Sequence, residues 1–148
     1  MRKEFVMRGQ TASGSTEVLN FGKYKPGTAY RMTEFVIYPS QSIGTVNNEM
    51  CASVTAGKTA VAPTDPNFND DGLIATAIGK TSDNPAYPNT YFSIVNDTYM
   101  ITQNLILMVQ DAAGAGDPVN WQCRFESVKM TGAEEATVNY KQFVISDE

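Results

Sequence analysis

Apolar and polar residues alternate without a break along VNWQCRFE. Val119, Trp121, Cys123 and Phe125 point one way, and Asn120, Gln122, Arg124 and Glu126 point the other. A pleated strand with one buried face has this period of two, and a helix, with a period of 3.6, cannot hold it. Nearby, NLILMVQ (Asn104 to Gln110) is apolar on both faces and reads as a central, buried strand. The glycine-rich loop DAAGAGDP joins the two, which predicts that Leu105–Gln110 and Val119–Glu126 form an antiparallel pair.

The remainder of the chain divides into similar strand-sized runs. They are Glu4–Arg8, Thr16–Phe21, Ala29–Tyr38, Asn48–Ala56, Leu73–Lys80, the pair YFSIV and TYMITQ about Asn96-Asp97, and Thr137–Ile145. Clusters of Gly, Pro, Asn and Ser separate them, as turns require. TGAEEA (Thr131 to Ala136) fits one helical turn with Thr131 as N-cap and Glu134 at the capping-box position. No ten-residue amphipathic helix is present. The expected fold is all-β: one domain over residues 1–148, a sandwich or jelly-roll-like arrangement of eight or nine antiparallel strands. Residues 1–15 read as an extended arm. An immunoglobulin pattern is disfavoured, because Trp121 stands only two residues before Cys123.

Composition narrows the function classes. At 148 residues the chain can close a core without metal or disulfide staples. Eleven basic against sixteen acidic residues give a net charge of -5, which argues against phosphate-backbone or anionic-membrane binding. Charged residues are only 18% of the total, fewer than a free monomer usually displays, so partners are expected to cover part of the surface. The N-terminus lacks an apolar signal-peptide core, and no apolar run is long enough to span a bilayer. Cys51 and Cys123 are expected to be free thiols.

Candidate chemistry is sparse. There is no histidine, so neither a Ser-His-Asp nor a Cys-His arrangement can be written, and zinc or copper ligands are lacking. In DPNFNDDG, the residues Asp65, Asn67, Asn69 and Asp71 have the spacing of hard oxygen ligands for calcium, with Asp70 beside them. An EF-hand, however, needs glycine where Asp70 stands and glutamate where Thr76 stands. Asx turns explain the same residues, and the stretch is read as a polar turn. Glu34, Glu49 and Glu126 are candidates for a carboxylate pair of the glycosidase type, but each alternates with apolar neighbours as a solvent-facing residue would. No cofactor is expected. Tyr87, Tyr91, Phe92 and Tyr99 cluster about a proline-rich stretch, and three of these tyrosines together with Trp121 define an alternative reading, a carbohydrate-binding module or tail-fibre-like adhesin.

Three long runs carry a resemblance: EFVMRGQTASGSTEVLNFGKYKPGTAYRMTEFVIYPS, DPNFNDDGLIATA and DTYMITQNLILMVQDAAGAGDPVNWQCRFESVKM. Their Gly-, Thr- and Asn-rich turns and late NWQCRFE strand resemble small structural proteins of tailed marine and cyanobacterial bacteriophages. The resemblance implies a β-rich virion protein without enzyme activity, such as a capsid decoration (cement) protein. Its implied partners are capsid or other virion proteins and further copies of itself, with no nucleic acid and no membrane. Assembly would take place in the host cytoplasm. Phe5, Val6 and Met7, on the first strand edge, are the expected intersubunit contacts.

Overall fold

The alternation at the end of the chain is realised as the strand it predicts. The computed structural model describes residues 3–21, 27–41, 47–57, 59–84, 86–112, 116–134 and 136–137. Among these the strands are β1 (Glu4–Thr11), β2 (Thr16–Leu19), β3 (Thr28–Pro39), β4 (Asn48–Ala56), β5 (Leu73–Thr81), β6 (Thr90–Val95), β7 (Leu105–Asp111) and β8 (Val119–Lys129). The chain is an all-β sandwich. A three-stranded sheet, β1-β8-β3, packs on a five-stranded sheet, β2-β7-β4-β5-β6, and every pairing is antiparallel. The helical turn is present as well, and the N–H of Glu134 donates to the Thr131 hydroxyl at 3.2 Å. Most of the last expected strand, Thr137–Ile145, lies outside the described residues.

Two sequence expectations are corrected. β7 and β8 do not pair with each other. β7 lies between β2 and β4, and β8 between β1 and β3, in opposite sheets. Each has its backbone groups paired on both edges within its own sheet, so the chain passes from one sheet to the other between them. The second correction concerns TYMITQ, which is not a strand. The Asn96 side chain accepts from the N–H and the hydroxyl of Thr98, and this turn bends the chain toward the other sheet. There Ile101 makes an isolated bridge to Tyr30, with reciprocal bonds of 2.7 and 2.8 Å.

The core forms where the inward faces meet. Met32, Phe35 and Ile37 of β3 and Val119, Trp121, Cys123 and Phe125 of β8 oppose Ala52 and Val54 of β4 and Leu105, Leu107 and Val109 of β7. Each large side chain withdrawn from water contributes about 1.5–3 kcal/mol. At one end, Phe5, Phe21, Tyr30 and Phe125 form an aromatic cluster with ring centroids 4.9–6.1 Å apart. Phe5 and Met7 thereby tie β1 to the core, and β1 runs in register along β8 from Glu4–Glu126 to Thr11–Val119. The stretch read as an arm thus includes an edge strand of the smaller sheet.

β4 has both faces covered. Its core face holds Met50, Ala52 and Val54, while its other face carries Cys51, Ser53 and Thr55, which are also buried. The polar loop after β4 folds back over them: the Ser53 hydroxyl donates to the Val61 carbonyl, and the Val61 N–H donates to the Thr55 hydroxyl. The alternation in β8 also fails at its last member. Glu126 is buried, not solvent-facing, because Arg31 on the adjacent β3 forms an ion pair with it. A buried carboxylate is tolerated when a hydrogen-bonded cation accompanies it.

Candidate interaction surface

The end of β3 reads FVIY, apolar at every position, and a strand has two faces. Phe35 and Ile37 enter the core, leaving Val36 and Tyr38 outside. β5 and β6 repeat the situation. In their shared register Ile78 stands opposite Phe92, and Thr76 opposite Ile94. Among the described residues no layer covers this face, in contrast to the face of β4 under its returning loop. Tyr38 (55% exposed), Ile78 (53%) and Phe92 (60%) therefore remain in water, with Val36, Tyr91 and Ile94 beside them.

Alternation divides them: Ile78, Phe92 and Ile94 point away from the core, whereas Tyr91 stands opposite Gly79 on the core side of β6, where its ring meets that of Tyr38. One open groove, between β3 and the β5–β6 pair, is lined by Val36, Ile37, Tyr38, Ala77, Tyr91 and Phe92 among others, and a second, on β5 and β6, includes Phe68, Thr76 and Ile94. The Tyr38 and Tyr91 rings lie nearly parallel, 9° between planes, with centroids 6.2 Å apart. Partial burial, and then the nearby Tyr38 hydroxyl, push the Tyr91 phenol above its ordinary range. Among the described residues no charged side chain lines either groove; Lys80, opposite Thr90, is the exposed charge nearest to them on β5. Taking about 150–250 Å² for a whole aromatic side chain, the exposed parts of Tyr38, Phe68, Tyr91 and Phe92 amount to roughly 300–550 Å², divided between the two sides of the β5–β6 pair. The aliphatic residues add to that. Ordinary monomers have largest apolar patches of about 300–600 Å², and those are often functional.

Not all the residues picked out from the sequence meet here. Tyr91 and Phe92 do. Tyr87 is exposed in the preceding loop. Tyr99 packs against the core with its hydroxyl buried, and burial, reinforced by Asp71, pushes that phenol up to about 12. Trp121 is 7% exposed, and its indole N–H donates to the Thr11 hydroxyl at 2.9 Å. Of the expected strand-edge contacts, Phe5 and Met7 face the core and Val6 faces out. Val36, Tyr38, Ile78 and Ile94 were missed. Their signal was present as strands apolar on both faces, a pattern that burial in the core explains equally well.

The polar loop is built from Asx turns. Asn67 accepts from the N–H of Asn69 at 3.0 Å, and Asp70 from that of Gly72 at 2.9 Å, so two of its side-chain oxygens bind their own backbone. Among the described residues, no three His, Cys, Asp or Glu side chains are grouped to hold a metal ion. Glu34, Glu49 and Glu126 sit on three strands, β3, β4 and β8, and Glu126 is engaged by Arg31. Cys51 and Cys123 are free and buried; burial, helped by Glu49 and Asp111, raises the Cys51 thiol to about 11, and burial raises that of Cys123 further.

No family model and no curated protein matches the chain. Among solved structures it is similar to a chain of the Bacillus endospore appendages, which form disulfide-linked pili. The TM-score is 0.39 and the identity 7%, over 88% of each chain. It is also similar to a chain of Cocksfoot mottle virus, with a TM-score of 0.35 and 10% identity over 91% of this chain and 99% of that one. At these values the likeness carries no functional argument.

Proposed function

We propose that this protein is a non-enzymatic virion structural protein, a capsid decoration or cement protein that works by contact. The observation that carries the reading is the set of apolar side chains exposed on β3, β5 and β6, which no other described residue covers. A surface of this kind gains free energy by being covered, at about 25 cal/mol per Å² of apolar area. The strand order supports a jelly-roll variant of the sandwich. Pairs nest from the outside inward, β1 with β8, β2 with β7 and β4 with β5, while β6 pairs with β5. Jelly rolls are common in capsid and lectin domains, and fold does not choose between these. The sequence resemblance to tailed-phage structural proteins favours the first. On a lattice, many weak contacts per particle make loss of the layer rare.

Co-sedimentation with empty tailed-phage heads tests this. The expected result is saturable binding that Phe92→Lys weakens at least tenfold. A protein that ignores heads and binds a saccharide on a glycan array is instead the adhesin, with exposed tyrosines as stacking platforms.

A further inference from the structure

We infer that the outer edge of β6 is a strand-addition site whose occupant is β6 of a second copy of this chain, paired antiparallel about a two-fold axis at Ser93. This pairing is independent of the virion reading. Unpaired backbone groups drive it, not the apolar side chains on either side of the sheet.

The free groups follow from the ladder. The N–H of Asn96 donates to the Ile74 carbonyl at 2.8 Å, so in the register of β5 with β6 the backbone of Ile94 and of Phe92 also faces β5. Tyr91, Ser93 and Val95 then turn their N–H and C=O groups to the open side, where no other described strand pairs with them. Tyr91 and Ser93 are exposed and Val95 is half-buried, so the edge is open to a partner.

Four strands end a sheet among the described residues, and three of them are blunted. β1 carries Glu4 and Arg8, and β2 has four residues, one of them Glu17. β3 has a bulge between Met32 and Glu34 and ends at Pro39. Charges, proline, bulges and shortness are the means by which edges are kept from pairing. β6 has six residues and none of these devices.

The order of residues along that edge selects a copy of itself. With the axis at Ser93, all three outward-facing residues find partners: Ser93 pairs with Ser93 of the partner subunit, and Tyr91 with Val95 of the partner subunit. Each such pair exchanges both backbone bonds. Side chains then match on both sides of the joined sheet. Tyr91 meets a valine on the core side, and Phe92 meets Ile94 of the partner subunit on the other. Aromatic with β-branched is a favoured cross-strand combination. Moving the axis to Phe92 or Ile94 leaves one outward-facing residue without a partner in β6 and loses those matches. The contact is isologous, closes at two chains and joins two five-stranded sheets into one.

Light scattering after size exclusion of the full chain, with amide exchange followed by NMR, provides the test. The expected mass is twice the 16.2 kDa of one chain at micromolar concentration. As the protein is concentrated, exchange should slow at Tyr91, Ser93 and Val95 and stay constant at Phe92 and Ile94, which β5 already holds. Ser93→Pro removes an outward-facing N–H, a change an edge strand tolerates, and should raise the dimer dissociation constant about tenfold or more with the monomer still folded. Ser93→Lys sets two like charges opposite each other at the axis and should do the same. Ser93→Cys should form an interchain disulfide on oxidation, since such pairs stand about 5.5 Å apart at Cα. Val18→Cys on β2 should not, and Cys51 and Cys123 are buried and stay silent. A wild-type monomer overturns the inference, as does a dimer that Ser93→Pro and Ser93→Lys leave intact, or one whose exchange slows equally from Tyr91 to Val95. A monomer that still coats phage heads overturns the dimer alone. A dimer that ignores heads overturns the virion reading alone.

Discussion

β1 and β6 are both edge strands, one on each sheet, and they manage their apolar residues in opposite ways. β1 turns Phe5 and Met7 inward, where Phe5 stacks on Phe125 at 5.5 Å, and it carries Glu4 and Arg8 along its length. Charges on an edge discourage a foreign strand from pairing with it. β6 has no charge and no proline, pairs with β5 without a bulge, and keeps five of its six residues exposed. From the sequence, β1 is the expected assembly edge; in the fold it is an edge strand whose Phe5 and Met7 pack on the core while Val6 faces out, and more exposed apolar side chains lie around β6. A strand becomes available for contact when its apolar side chains find no layer inside the chain, wherever it stands in the sequence.

The comparison can be broken most directly from the core outward. Phe125→Ala, which removes the ring under β1, should cost about 3–5 kcal/mol in urea unfolding. Phe5→Ala should follow at about 2 kcal/mol, because that ring is only half-buried, whereas Phe92→Ala on β6 should stay within about 0.5 kcal/mol. Equal losses at Phe5 and Phe92 would mean that the two strands do not differ as described.

The glycines sharpen the same contrast. A Cβ on Gly9 of β1 would meet the Trp121 ring at 2.9 Å, and that indole is held by Thr11, so Gly9→Ala should destabilise by about 1–3 kcal/mol. On Gly79 of β5 the neighbours at 3.0 Å are the flexible Met50 methyl and the partly exposed Tyr91 ring, which can yield. Gly79→Ala should therefore cost less than Gly9→Ala in the same denaturation series.

The smallest effect is one of pH. The Cys51 thiol ionises near 9 when unfolded and near 11 when folded, so up to pH 9 it is protonated in both states and favours neither. Between pH 9 and about 11 the unfolded chain loses the proton first, and stability falls. Cys51→Ala should flatten that decline in thermal melts taken across the window, and an unchanged slope would assign the alkaline loss to Tyr99 or Cys123.

Much of the fold is legible in the sequence because strand periodicity is local. VNWQCRFE, NEMCASVTA and AYRMTEFVIY each occupy a strand within three residues of the expected bounds, and the Thr131 cap forms as its spacing predicts. The contact surface is less legible. Tyr91 and Phe92 stand out by composition, but they resemble Tyr99 and Trp121 until burial separates them. A strand apolar on both faces reads the same whether a loop covers its second face, as on β4, or no described residue does, as on β5 and β6. The Glu126 misreading has a similar origin, since Arg31 is 95 residues away and only pairing of β3 with β8 brings it near.

The sequence by itself determined the class of element and the positions of the turns, because backbone torsions and side-chain alternation depend on neighbours along the chain. Only the tertiary structure decided which strands became partners and which apolar faces were left uncovered. Those outcomes depend on how the eight described strands share two sheets, a competition among distant segments that no local pattern records.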